Sequence, residues 1–329
     1  MPLPPDNSAA HSPTAVHDFA DYAAALKLEL PAVATVQPEE AARDAELAAA
    51  VRKHYVQNRP GPESFPSMAL QVITLLGRDD ADIGRLAQLI SRDPGLTASL
   101  LRVVNSAIFR GVQRVSSVRD AIARLGLNEA GRVAGAAAAR ALFDARGREH
   151  TQPFVADFEM LYVHAVTCAV TSGWLATQRG GAHADRCYLG GLLHDIGRSI
   201  ALRSAAALRT QGFADFVPRS PRTHRVLELL HSSLGADVLT LWQLPEFVIE
   251  FAGKHHASGL ASGEGDPDLH IIALTSALQL LRAAPALHPG AAEDLLVSAR
   301  ALGLTPSALA TIDTERARFE RLARSLATG

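Results

Sequence analysis

The sequence predicts an all-α protein, a multi-helical bundle with an amino-terminal lobe of short helices. Three observations carry that prediction. Apolar residues recur at three- and four-residue spacing along most of the chain. Helix-opening signals stand ahead of those runs, while alternating strands of period two are essentially missing. Alanine and leucine dominate a composition that is 48% apolar and only 5% aromatic, which favours helices packed closely through small residues.

Taken in order, residues 1–15 are polar and proline-rich and are expected to form a disordered tail. Residues 16–59 read as a helical extension. An amphipathic pattern through Phe19, Tyr22, Ala25, Leu26 and Leu30 stops at Pro31. Pro38-Glu39-Glu40 then opens a helix to about Gln57, with proline and acids in its first turn. After the turn NRPGPES, Met68, Val72, Leu75 and Leu76 recur at helical spacing. Asp82 can cap IGRLAQLISR, and Asp93-Pro94 opens GLTASLLRVVN. Asn105 is expected to end that helix in left-handed geometry. Ser117 with Asp120 resembles a capping box ahead of AIARLG, and Asn128 can cap EAGRVAGAAAARALF.

A second block begins near Pro153 with FVADFEMLYVHAVTCAVTSGWLATQ, a long helix. The helix holding His194 and Asp195 follows, then one from about His224 to Trp242, and EFVIEFAGKHH after Pro245. GLASGEGDPD reads as a loop, HIIALTSALQLLR as a buried helix, and residues 261–329 as carboxy-terminal helices packed on the bundle.

Composition excludes several functions. A net charge of −2 argues against a general nucleic-acid surface. LGLNEAGRVAGAAAAR has the outline of half a helix-turn-helix, but it offers few polar side chains for reading bases, and its alanines suit close helix packing. The amino terminus lacks the basic start and apolar core of a secretory signal. No uninterrupted apolar run reaches the roughly 18 residues needed to span a bilayer. A cytoplasmic protein without membrane insertion is expected. Cys168 and Cys187 sit in apolar helical patterns without ligand-like spacing and read as buried free thiols.

The chemistry concentrates in YLGGLLHDIGRSIAL, residues 188–202, where His194 and Asp195 interrupt an apolar run. An unpaired buried carboxylate is costly, so a metal, a cation or a set of hydrogen bonds must compensate Asp195. Arg92 and Arg102 are most simply solvated, yet an arginine could pair with Asp195 and make the site a structural salt bridge. His164, His231, His255 and His256 lie in similar helical surroundings. Imidazole and carboxylate suit zinc, iron, manganese or nickel, and a bound ion could activate water for phosphate-ester hydrolysis. Any one of these histidines alone would more simply donate to a backbone carbonyl.

These residues resemble the HD superfamily of helical metal-dependent phosphohydrolases, in which a first histidine, a His-Asp pair and a distant aspartate bind metal. His164 and His194-Asp195 fit the first two elements, and His231 and His255-His256 fit positions where two-metal members add ligands. ISRDPGLTASLLRVVNSAIF, VSSVRDAIARLGLNEA and HSSLGADVLTLWQLPEFVIEFAGKHHA are similar to the HDOD domain, the HD-related output domain of bacterial signalling proteins, over roughly residues 60–260.

The sequence departs from that pattern in three places. Ser276 or Thr275 stands where the superfamily has its final aspartate, so metal affinity should drop. The Gly-Tyr-Pro signature of cyclic di-GMP phosphodiesterases is absent after His256, and Lys254 would oppose a cation unless it points outward. The resemblance implies a signal-transduction output or regulatory module, non-catalytic, binding a signalling protein or small ligand. No cofactor is expected beyond a residual divalent metal (iron, manganese, zinc or magnesium). The alternative is a metal-dependent phosphohydrolase acting on a nucleotide or cyclic dinucleotide.

Overall fold

The computed structural model describes residues 17–29, 36–61, 64–76, 82–106, 109, 113–145, 149–180, 183–256, 260, 266–288 and 290–327. The tail at residues 1–15 lies outside them, as does most of the loop GLASGEGDPD. Helices dominate, and no strand occurs among the described residues. The amino-terminal lobe contains α3 (Ser67–Leu76), α4 (Ile83–Ser91), α5 (Pro94–Val104), α6 (Val118–Leu125) and α7 (Leu127–Ala139). Asp82, Asp93 and Ser117 cap α4, α5 and α6 through side-chain oxygens that accept backbone N–H groups.

Two local expectations are corrected. Asn128 lies inside α7, because Gly126, with φ +83°, turns the chain two residues ahead of it. Asn105 does end α5, but in right-handed geometry. Its amide donates to Leu101 O and Val115 O and accepts from Val115 N, which staples the following loop. The alanine-rich face of α7 is buried, as close packing requires.

The second lobe is built around α8 (Val155–Gln178), preceded by a 3-10 turn (Glu149–Phe154). That run is the one described helix long and apolar enough to cross a membrane, and 72% of its apolar window is buried inside the fold. Around it lie α9 (Ala184–Leu193), α10 (Ile196–Thr210), α11 (Pro221–Leu241), α12 (Glu246–Lys254) and α13 (Pro267–Ala283). The chain closes with α14 (Ala291–Ala301) and α15 (Pro306–Ala327).

Residues ahead of the first lobe pack on the second. On α2 (Pro38–Gln57), Leu47, Val51 and Tyr55 enter the main core. Its polar face pairs with the α10–α11 region: Asp44 with Arg225 at 2.6 Å, Arg43 with Asp215 at 2.6 Å, and the Tyr55 hydroxyl donates to Asp237 at 2.5 Å. The shorter α1 (Phe19–Leu26) joins a separate core with α13, α14 and α15, where the Tyr22 hydroxyl donates to Leu304 O at 2.7 Å.

Candidate metal centre between six helices

His194 closes α9 and Asp195 opens α10, so the pair sits at a break between two buried helices. Three glycines of the same stretch let four other helices approach this break. A Cβ on Gly191 would lie 2.9 Å from Ala169 Cα on α8, and one on Gly190 would lie 2.5 Å from Phe251 on α12 and Ile272 on α13. A Cβ on Gly197 would meet the His231 carbonyl oxygen on α11 at 1.8 Å. Those helices carry His164, His255, Ser276 and His231. The glycines are therefore the packing device that assembles the site.

The imidazoles converge on the Asp195 carboxylate. Oδ2 lies 3.3 Å from His164 Nε2 and 3.7 Å from His194 Nε2, and Oδ1 lies 3.5 Å from both His231 Nε2 and His255 Nε2. His194 Nδ1 faces Gly191 O at 2.9 Å, His231 Nδ1 faces Glu228 O at 2.9 Å, and His255 Nδ1 faces Phe251 O at 3.1 Å. A carbonyl only accepts, so each Nδ1 carries the proton and each Nε2 presents a lone pair. Burial holds His194 well below its ordinary pKa, pushes His231 down to about 3 and lowers His255. Neutral lone pairs thus face an anion. His255 Nε2 and Asp195 Oδ1 have no hydrogen-bond partner.

This donor set fits a divalent metal. The groups His164–Cys168–His194, His194–Asp195–His255 and His231–His255–His256 each present ligand atoms all within 4.8 Å of one another. A metal between such donors would turn an acceptor–acceptor contact into coordination, and the Nδ1–carbonyl bonds would orient the rings. His256 sits at the rim, its Nε2 2.8 Å from His231 Nε2 and its Nδ1 2.7 Å from Asp294 Oδ2 on α14.

A cation already stands inside the pocket. Arg198 donates from Nε to Asp195 Oδ2 at 2.8 Å, and its Nη2 lies 2.8 Å from Glu228 Oε2 without hydrogen-bond alignment. Burial opposes ionisation of Asp195, but the Arg198 guanidinium outweighs it and holds the carboxyl well below its usual range. The internal arginine is therefore Arg198, inside the motif, whereas Arg92 and Arg102 are exposed. Its position three residues after Asp195 on one helix was the available signal. Glu228 likewise lies three residues before His231.

Ser276 Oγ lies 3.1 Å from His194 Nε2 and 3.4 Å from His164 Nε2, so it takes the position in the pocket, while Thr275 turns away to Ser172 at 2.7 Å. Lys254 points outward and pairs with Glu250 at 2.9 Å. Cys187 is a buried free thiol. Cys168 is also free and buried, but its Sγ lies 3.7 Å from His164 Nε2, one helical turn along the same face. The sequence already puts Cys168 on the helix face of His164, and that i,i+4 relation is a ligand-like spacing, which corrects the reading of Cys168 as a thiol without one.

A family model for the HDOD domain matches residues 63–258. The chain belongs to the HDOD family. An HDOD domain protein of unknown function from Geobacter sulfurreducens superposes with a TM-score of 0.61 at 19% identity, covering 86% of this chain and 98% of that one. A Shewanella amazonensis SB2B protein named "Putative metal-dependent phosphohydrolase" gives 0.57 at 19% identity, over 84% and 99% of the two chains. One from Marinobacter aquaeolei VT8 named "Putative signal transduction protein" gives 0.54 at 19% identity, over 96% and 67%. At these identities the likeness is one of fold. An uncharacterized protein of Treponema pallidum (strain Nichols) is 24% identical over 222 residues, a match that covers 64% of this chain and 41% of that relative's length. In this HDOD chain, Ser276 and Asp294 reach the pocket from beyond the matched region.

The neutral buried histidines set an acid limit on the metal-free protein. His224 and His231 are both pushed down to about 3, burial being the largest cause. A depressed pKa means that the unfolded chain takes up the proton first. Stability is complete above about pH 6.5 and declines as pH falls toward 3, by on the order of 1.4 kcal/mol per pH unit for each such histidine. His164, raised to about 10 by Cys168 and Asp195 against the larger opposing effect of burial, adds nothing to that slope, since its contribution is complete below 6.5. The urea midpoint of chelator-treated protein should drop steeply between pH 6.5 and 5. A flat profile would contradict neutral buried imidazoles.

Proposed function

We propose that this chain is a non-catalytic output module of the kind used in bacterial signal transduction. Its HD-type pocket holds a divalent metal inside the fold, and the module acts by binding a signalling protein or small ligand. One observation carries the reading. The pocket's central carboxylate, Asp195, is already paired with Arg198, both 3% exposed or less at the side chain, and neutral Ser276 stands where the superfamily supplies an anion.

Metal-assisted hydrolysis needs an open coordination position that a phosphoester can reach. His194, Asp195, His231 and His255 are each 2% exposed or less. Two divalent ions would also crowd four positive charges beside the Arg198 guanidinium, with few anions to balance them. A bound ion would supply the positive charge that the facing imidazoles and Asp195 Oδ1 call for. A cytoplasmic setting, without nucleic-acid contacts or membrane insertion, belongs to the same reading.

One feature favours the second reading, hydrolysis of a nucleotide or cyclic dinucleotide. His256 and Glu228 have side chains 25% and 34% exposed, which leaves one edge of the constellation open to solvent. Assays of untagged protein loaded with manganese, iron or zinc, against linear and cyclic dinucleotides and simple phosphodiesters, separate the two. We expect no turnover above the metal-only background. Turnover that disappears in Asp195→Ala would replace the first reading by the second.

A further inference from the structure

We propose that Cys168 is a metal ligand, and that its thiolate replaces, from the opposite helix, the negative charge missing at Ser276. The proposal deepens the metal reading above and rests on it. The serine hydroxyl and the thiol both face His164, and Cys168 Sγ stands within 4.8 Å of a His194 ring nitrogen. Ser276 Oγ approaches His194 Nε2 and His164 Nε2 at 3.1 and 3.4 Å from α13, and Cys168 Sγ approaches His164 Nε2 at 3.7 Å from α8.

The donor separations suit one small tetrahedral ion. Metal–nitrogen bonds of about 2.05 Å and metal–sulfur bonds of about 2.3 Å place tetrahedral nitrogens about 3.4 Å apart, and nitrogen about 3.6 Å from sulfur. His164 Nε2 and His194 Nε2 are 3.2 Å apart, and His164 Nε2 and Cys168 Sγ 3.7 Å. Asp195 Oδ2 lies 3.3 Å from His164 Nε2 but already accepts from Arg198 Nε, so the donor group around Cys168 is His164, Cys168 and His194. Gln279, one turn beyond Ser276 on α13, lies 3.3 Å from Cys168 Sγ and can turn its amide to donate to a thiolate.

Exchanging an oxygen anion for a sulfur one changes which metal the pocket prefers. Thiolate and imidazole select zinc, cobalt(II) or iron(II) over magnesium, manganese or calcium. On binding, the thiol gives up its proton to solvent and sulfur donates an electron pair to the ion, with no change of oxidation state.

Cobalt(II) titration of untagged, chelator-treated full-length protein tests this without any activity. A thiolate-to-cobalt charge-transfer band should appear in the near ultraviolet, accompanied by visible bands of tetrahedral intensity. Cys168→Ser should lose the charge-transfer band and bind cobalt about tenfold more weakly or worse, and Cys187→Ser should keep both. If Cys168→Ser fails to fold, a band retained in Cys187→Ser decides the matter, since Cys168 is then the one cysteine left. Cobalt bound without the charge-transfer band would overturn the Cys168 assignment and leave the metal pocket standing. A band that survives Cys168→Ser would do the same. No cobalt bound at all would overturn both.

Discussion

Gly197→Ala should destabilise the fold by about 3 kcal/mol or more, enough to leave the chain largely unfolded or to separate α10 from α11. The added methyl would fall 1.8 Å from the His231 carbonyl oxygen and 2.7 Å from Gly235 N. Backbone cannot rotate away as a flexible side chain can, so the two helices must part, and His231 must move off Asp195 with them. Gly253→Ala supplies the contrast. Its Cβ would meet nothing closer than Ala236 Cβ at 3.7 Å, and in a helix the exchange should be neutral or stabilising by about 0.5–1 kcal/mol. Denaturant midpoints of the two variants measure the difference directly. Equal midpoints would mean that the α10–α11 contact does not set the geometry of the site.

Asp195→Ala is the second large effect, at about 3–5 kcal/mol. It removes the hydrogen-bonded partner of a guanidinium that is 2% exposed, leaving Glu228 as the counter-charge, at 2.8 Å but poorly aligned. The loss comes mostly from stranding Arg198, so Asp195→Leu combined with Arg198→Met should recover much of it. A single-variant loss below about 1 kcal/mol, or no recovery in the double variant, would show that solvent compensates the pair and that the pocket is wetter than its burial implies.

What the sequence made legible divides along the range of the forces involved. The caps at Asp82, Asp93 and Ser117 act within four residues, so pattern alone placed those helix starts. Asn128 misled because the backbone reversal at Gly126 took precedence over a good capping side chain. The six histidine and aspartate positions stood out because polar groups interrupt apolar helices there. Their convergence could not be seen, since it depends on Gly190, Gly191 and Gly197 admitting helices from distant parts of the chain. Arg198 and Glu228 were hidden for another reason. Charged residues three apart on a helix usually face solvent, and only the packing of α10 against α11 turns these inward. Asp294 comes from beyond the family's matched region, where no motif pointed to the site.

In the proposed function, an intact-looking coordination pocket binds its ion without doing hydrolytic chemistry. Turnover per bound metal, measured on one untagged sample by elemental analysis and a phosphodiester assay together, tests it most directly. Metal should be retained in the wild-type protein and reduced in Asp195→Ala, with no turnover in either. Sustained phosphodiester cleavage that scales with bound metal and vanishes with Asp195 would contradict it.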